Sequence, residues 1–136
     1  MSVIRLTDAR RSETPNAVMT TFASPTQGST SLALWRVEMR PGTQGPLHAM
    51  DAEQIWTFLA GSATAELAGE SHLLAAGDTL VLPADVARRI TSDEGFTAVV
   101  ASTSPSRAYN PDAVTPEGAC AMAPRDAERV LPAWIA

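Results

Sequence analysis

The chain has 136 residues, 45% of them hydrophobic and 18% charged, with ten Pro and eight Gly: one domain's worth of ordinary globular composition, which excludes wholesale disorder. Its ten basic residues are all Arg and are outnumbered by 15 acidic ones, and a net charge of −5 without a basic cluster argues against a grip on nucleic acid. The single cysteine, Cys120, excludes a disulfide within the chain and a zinc site built on cysteines.

The opening MSVIRLTDARRSE lacks the apolar stretch of a signal peptide, and no run approaches the ~18 apolar residues of a bilayer span. A cytoplasmic protein without a membrane partner is the expectation. Residues 1–30 read as an arm or edge strand: a β-like run from Val3 to Leu6, then turn formers that include Pro15, Pro25 and Gly28. In Trp35-Arg36-Val37-Glu38-Met39 apolar and charged residues alternate with period two, which predicts a half-buried strand ended by Arg40-Pro41-Gly42. Leu47 to Met50 comes next, and then Gln54 to Leu59, whose β-branched and aromatic residues favour a strand that Gly61 closes.

Short strands are predicted at Ala63 to Leu67, Ser71 to Ala75, Thr79 to Leu82, Arg88 to Thr91 and Phe96 to Ala101, separated by turn sequences such as Ala76-Gly77-Asp78. Turns at that regularity, with no helical period between them, indicate an antiparallel all-β sandwich or barrel. Beyond Pro105, a tail carrying Pro111, Pro116, Pro124 and Pro132 can sustain neither a long helix nor a central strand. Trp134 and Ile135 stand at its end, and such large apolar side chains are expected to be buried, along the barrel or across a dimer interface.

The segments Gly42 to Gly61 and Gly77 to Thr91 resemble the two signature motifs of the cupin superfamily. In the first, Gly42 is followed after five residues by His48, then by Ala49, Met50, three residues, Gln54, six residues and Gly61, the family's spacing. In the second, Gly77 and Pro83 keep their interval, while Asp85 stands for the family's Gly and Arg88 for its His. The resemblance implies a double-stranded β-helix, a jelly-roll barrel, with residues 1–136 as one cupin domain: core at about 31–103, N-terminal arm 1–30, C-terminal tail 104–136. It also implies that small cupins pair, so a homodimer is expected, with the Val3 to Leu6 arm and the Trp134 tail as apolar material to exchange.

The family's metal ligands, His, His, Glu and His, fall on His48, Met50, Gln54 and Arg88. A thioether is too soft for hard divalent ions, an amide contributes only a neutral oxygen, and a guanidinium repels a cation. No cofactor is therefore expected; a divalent transition metal, if bound at all, would rest on His48 and Gln54. His72 occupies no motif position and reads as a surface histidine.

Strand alternation puts Gln54, Trp56 and Phe58 on one face, the inward one by the family's ligand position, with Ile55, Thr57 and Leu59 on the other. His48 and Met50 share a face by the same rule. Arg88 and its neighbour Arg89 cannot both face inward. The predicted ligand-binding set is thus Met50, Gln54, Trp56, Phe58 and Arg88, with His48 as catalytic acid or base: a pocket for a small anionic or carbonyl-bearing molecule. Three functions fit in different degrees: a metal-independent isomerase, lyase or cyclase; a non-catalytic binding or sensor protein; and a metal-dependent oxygenase with ligands recruited from outside the motifs.

Overall fold

Period-two alternation builds the first core layer. In β3 (Leu32–Met39) the side chains of Ala33, Trp35, Val37 and Met39 are buried while Leu32, Leu34 and Glu38 are exposed, so one face of the strand seals the interior. The structure is a computed structural model that describes residues 2–29, 31–111 and 129–136. Its other strands are β1 (Arg10–Glu13), β2 (Ala17–Ala23), β4 (Thr43–Gln44), β5 (Ala49–Met50), β6 (Gln54–Leu67), β7 (Glu70–Ala75), β8 (Thr79–Leu82), β9 (Arg88–Ser92), β10 (Phe96–Thr103) and β11 (Ala108–Tyr109). All pairings are antiparallel, in the order β1-β2-β3-β10-β6-β9-β4, with β7 and β8 also on β6 and a separate β5–β11 pair. The fold is all-β, a sheet curled on itself in the jelly-roll manner. Among the described residues no helix is long and apolar enough to cross a membrane.

Two expectations need correction. Gly61 does not close a strand: β6 runs on through it, exchanging partners from β8 and β10 to β7 and β9. The β10 register slips by one between Ala98 opposite Phe58 and Thr97 opposite Ala60, so the buried positions change from Gln54 and Phe58 to Ala63 and Ala65. Gly61 lies there at φ +77°, where an added Cβ would be 2.1 Å from the Gly95 carbonyl oxygen; only glycine bends the strand between layers at this approach.

The second correction concerns the N-terminus. Val3 and Leu6 form no strand and are exposed; β1 and β2 make a hairpin instead, and β2 pairs with β3 and buries Ala17 and Met19 in the core. The Thr14 hydroxyl accepts the Asn16 and Ala17 amides at 3.3 and 3.2 Å, which fixes the reversal. Trp134 packs half-buried on the core and Ile135 is fully buried, so the described end of the tail, 129–136, lies along the barrel of its own chain. Hydroxyls of Thr21, Ser104 and Thr26 donate to the carbonyls of Trp134, Ile135 and Ala136 at 2.8, 3.0 and 2.7 Å. Cys120, Pro116 and Pro124 lie outside the described residues.

Candidate functional site

Backbone pairing places the first two polar groups. His48, just before β5, and Arg88, opening β9, are directly opposed: the His48 N–H donates to the Arg88 carbonyl at 3.0 Å and the Arg88 N–H to the His48 carbonyl at 2.8 Å. Residues opposed in this way project their side chains to the same side, so imidazole and guanidinium are neighbours by construction. Arg88 is only 2% exposed; Arg89 alternates to the other face of β9, with Glu66 opposite it in register, yet it too contributes to the lining of the adjoining cavity, so both arginines border it where only one was expected.

The third group arrives on β6. The buried Gln54 carbonyl oxygen accepts from Arg88 Nη2 at 2.8 Å and from Trp56 Nε1, two residues along the same face, at 3.0 Å. Two donors converging on one atom settle the amide's orientation: oxygen toward them, nitrogen away. Arg88 Nη1 is buried and has no hydrogen-bond partner among the described residues.

A cavity of about 400 Å³ opens against these groups, lined by His48, Met50, Gln54, Trp56 and Arg88 and walled by Trp35, Met39 and Phe96, with Pro132, Trp134 and Ile135 of the tail closing one side. No Asp or Glu lines it among the described residues, although the chain carries 15. The cavity is the cationic interior of an acidic protein.

His48 Nδ1 lies 3.0 Å from the Pro46 carbonyl oxygen, which can only accept, so Nδ1 carries the proton and Nε2 keeps its lone pair. Its surface is half-buried because it faces the cavity. Burial first and the Arg88 charge second lower its pKa to about 4, against the opposing pull of the Pro46 carbonyl. The imidazole is therefore neutral at physiological pH. Burial lowers the Arg88 pKa to about 10, and the guanidinium stays charged.

Of the six predicted site residues, His48, Met50, Gln54, Trp56 and Arg88 share the cavity wall. Phe58 does not reach it: fully buried, it sits behind Trp56 and Phe96, with ring centroids 6.3 and 5.0 Å away, and supports the wall from inside the core. Glu53 is exposed, and His72 stands on the outside of β7 with Glu70 at 4.0 Å. Sequence reasoning missed Trp35, Met39 and Phe96 as cavity wall; their inward alternation was the signal, though it marks core and cavity alike.

The residues at the four motif positions do not fit a divalent ion. His48 offers one nitrogen and Met50 a thioether, the Gln54 oxygen already accepts two hydrogen bonds, and the fourth position holds a cation. Among the described residues no three His, Cys, Asp or Glu side chains gather into a metal-holding group.

Residues 35–102 match the family described as Cupin domain. No curated protein matches the chain in sequence. Among solved structures, the chain is similar to an RmlC-like cupin from Shewanella frigidimarina NCIMB 400, at 15% identity and a TM-score of 0.63 over 71% of this chain and 85% of that one. It is similar to KdgF from Halomonas sp. at 20% identity and a TM-score of 0.65, over 76% of this chain and 93% of that one. A third similarity, at 25% identity and a TM-score of 0.63, is to the DMSP lyase DddQ from Ruegeria pomeroyi DSS-3, over 71% of this chain but only 57% of that one.

Proposed function

The chain belongs to the cupin family, and from that premise we propose that its barrel holds a small organic molecule by a carboxylate or carbonyl oxygen placed against Arg88. One observation carries the reading: a charged, buried guanidinium with an unpartnered Nη1, bordering a cavity that no described acidic side chain lines. A buried donor without an acceptor costs about 1–3 kcal/mol, and an anionic oxygen supplies what is missing. The Gln54 amide nitrogen, turned away from Arg88 and Trp56, is a second donor for the same ligand.

The proposed chemistry is acid–base and independent of metal. His48 Nε2 takes a proton from the carbon next to the ligand's carbonyl, and the electron pair moves onto the carbonyl oxygen facing Arg88. Arg88 and Gln54 stabilise the enolate. The negative charge so created beside His48 raises the imidazole's basicity; return of the proton to another carbon completes an isomerisation, or the enolate's electron pair expels a group from the β-carbon, which takes the proton from His48, in an elimination. DddQ, similar in fold, is a lyase by name, which supports this class. The unusually low basicity of His48 favours a second reading, a non-catalytic binding protein.

Calorimetric titration with pyruvate, phenylacetate and gluconate tests the site. At least one is expected to bind wild type and to fail to bind Arg88→Met; a ligand held equally by both proteins, or none held by either, overturns the proposal. At ~100 times its dissociation constant a ligand should stabilise the fold by about 2.7 kcal/mol. Turnover that disappears in His48→Ala while affinity persists separates the enzyme from the binding protein.

A further inference from the structure

We infer that the ligand is a monocarboxylate with an apolar, ring-sized body and a hydroxyl on the carbon next to its carboxylate. This names the ligand class of the site proposed above and rests on that reading. The polar groups of the cavity occupy one end: Arg88, Gln54 and His48 meet there through one backbone pair and one hydrogen bond. Most of the remaining wall is apolar, built from Trp35, Val37, Met39, Trp56, Phe96 and Trp134.

Such a division selects against ligands that are polar throughout. A sugar acid would bring several hydroxyls against indole and aliphatic surface, where each unpartnered group loses its hydration without replacement. The other polar residues on the lining are Thr14, Asn16, Gln44 and Arg89, too few to serve a ligand that is polar throughout. Thr14 commits its hydroxyl to its own turn, and Gln44 is exposed at the mouth. A dicarboxylate would need a second cation; Arg89 also lines the cavity, on the alternate face of β9 and opposite Glu66 in register, and succinate tests whether it serves. The volume of about 400 Å³ is near the lower end for ligand cavities, roughly 300–1,000 Å³, and suits a single ring with a short acid.

The hydroxyl follows from the tautomer of His48. With Nδ1–H donated to the Pro46 carbonyl, Nε2 presents a lone pair beside the cation that receives the carboxylate. A carboxylate oxygen against that lone pair would repel it. A donor is needed within a bond or two of the carboxyl carbon, and a 2-hydroxyl meets that requirement.

Four probes of chosen charge and polarity separate the possibilities: mandelate, phenylacetate, gluconate and succinate, titrated by calorimetry into the full chain at pH 7.5. Mandelate should bind about tenfold more tightly than phenylacetate, the worth of one hydrogen bond, and on the order of a hundredfold more tightly than gluconate or succinate. In His48→Phe, checked for a wild-type circular dichroism spectrum, the preference for mandelate over phenylacetate should vanish while phenylacetate still binds. If that variant does not fold, His48→Leu replaces it, with the same loss of the preference expected while phenylacetate still binds. Gluconate or succinate bound as tightly as mandelate, and lost in Arg88→Met, would overturn the ligand class and leave the anion site standing. Binding of none of the four would overturn both.

Discussion

Arg88→Met should separate affinity from stability. Burial brings the Arg88 pKa down to about 10, and the difference from its ordinary value corresponds to roughly 3 kcal/mol by which the charged form is disfavoured in the folded protein below that pH. Methionine removes that penalty and fills much of the same space. It also removes the 2.8 Å bond to Gln54, and a hydrogen bond to a charged group is worth about 1.5–3 kcal/mol. The Trp56 indole still donates to the Gln54 oxygen, so that buried acceptor is not left bare. The two effects nearly cancel, and the unfolding free energy should stay within about 1.5 kcal/mol of wild type. Urea denaturation at pH 7, read by tryptophan fluorescence, measures it. A loss above about 3 kcal/mol with an unchanged m-value would show that Arg88 is held for the structure it makes, and the reasoning behind the anion site would fail.

His48 ties stability to pH. The unfolded chain titrates near 6.5 and the folded imidazole at about 4, so as pH falls the unfolded state takes up the proton first. Stability is complete above pH 6.5 and declines between 6.5 and 4, by up to about 3 kcal/mol; in His48→Gln this decline should flatten, and parallel acid limbs for the two proteins in calorimetry would contradict the assignment. Gly61→Ala places a methyl 2.1 Å from the Gly95 oxygen at a backbone φ of +77°, and should lower the thermal midpoint by more than ~10 °C. Leu34, Ile55 and Val81 are exposed on neighbouring strands, bridged by Ala101 in register, and we propose this outer face for the expected homodimer. Sedimentation at micromolar concentration should give a dimer mass for wild type and a monomer for Ile55→Asp.

Strands whose burial follows period two were legible in the sequence: Thr79 to Leu82 has the bounds of β8, and Trp35 to Met39 lies within β3. β2 was not. Its inward positions are Ala17, Met19 and Thr21, and a threonine there breaks the apolar pattern. Thr21 can be buried because its hydroxyl meets the Trp134 carbonyl, 113 residues away, a contact that no local pattern announces. Gly61 misled for a related reason: the residue that ends one strand elsewhere here lets a single strand serve two layers. The polar end of the site could be read because motif spacing and alternation are local. The depth of Phe58 could not, since facing inward says nothing about whether a neighbour, here Phe96, already fills the space.

The opposition between a net anionic chain and a cavity that no described acidic side chain lines has a kinetic consequence. A monoanion diffusing toward a molecule of net charge −5 is repelled over a Debye length, ~8 Å at physiological ionic strength, and meets attraction only once past the mouth. Added salt screens the approach and hardly touches the sheltered guanidinium. Association should quicken as ionic strength rises while the escape rate holds steady, and polyanions should be turned away before they arrive.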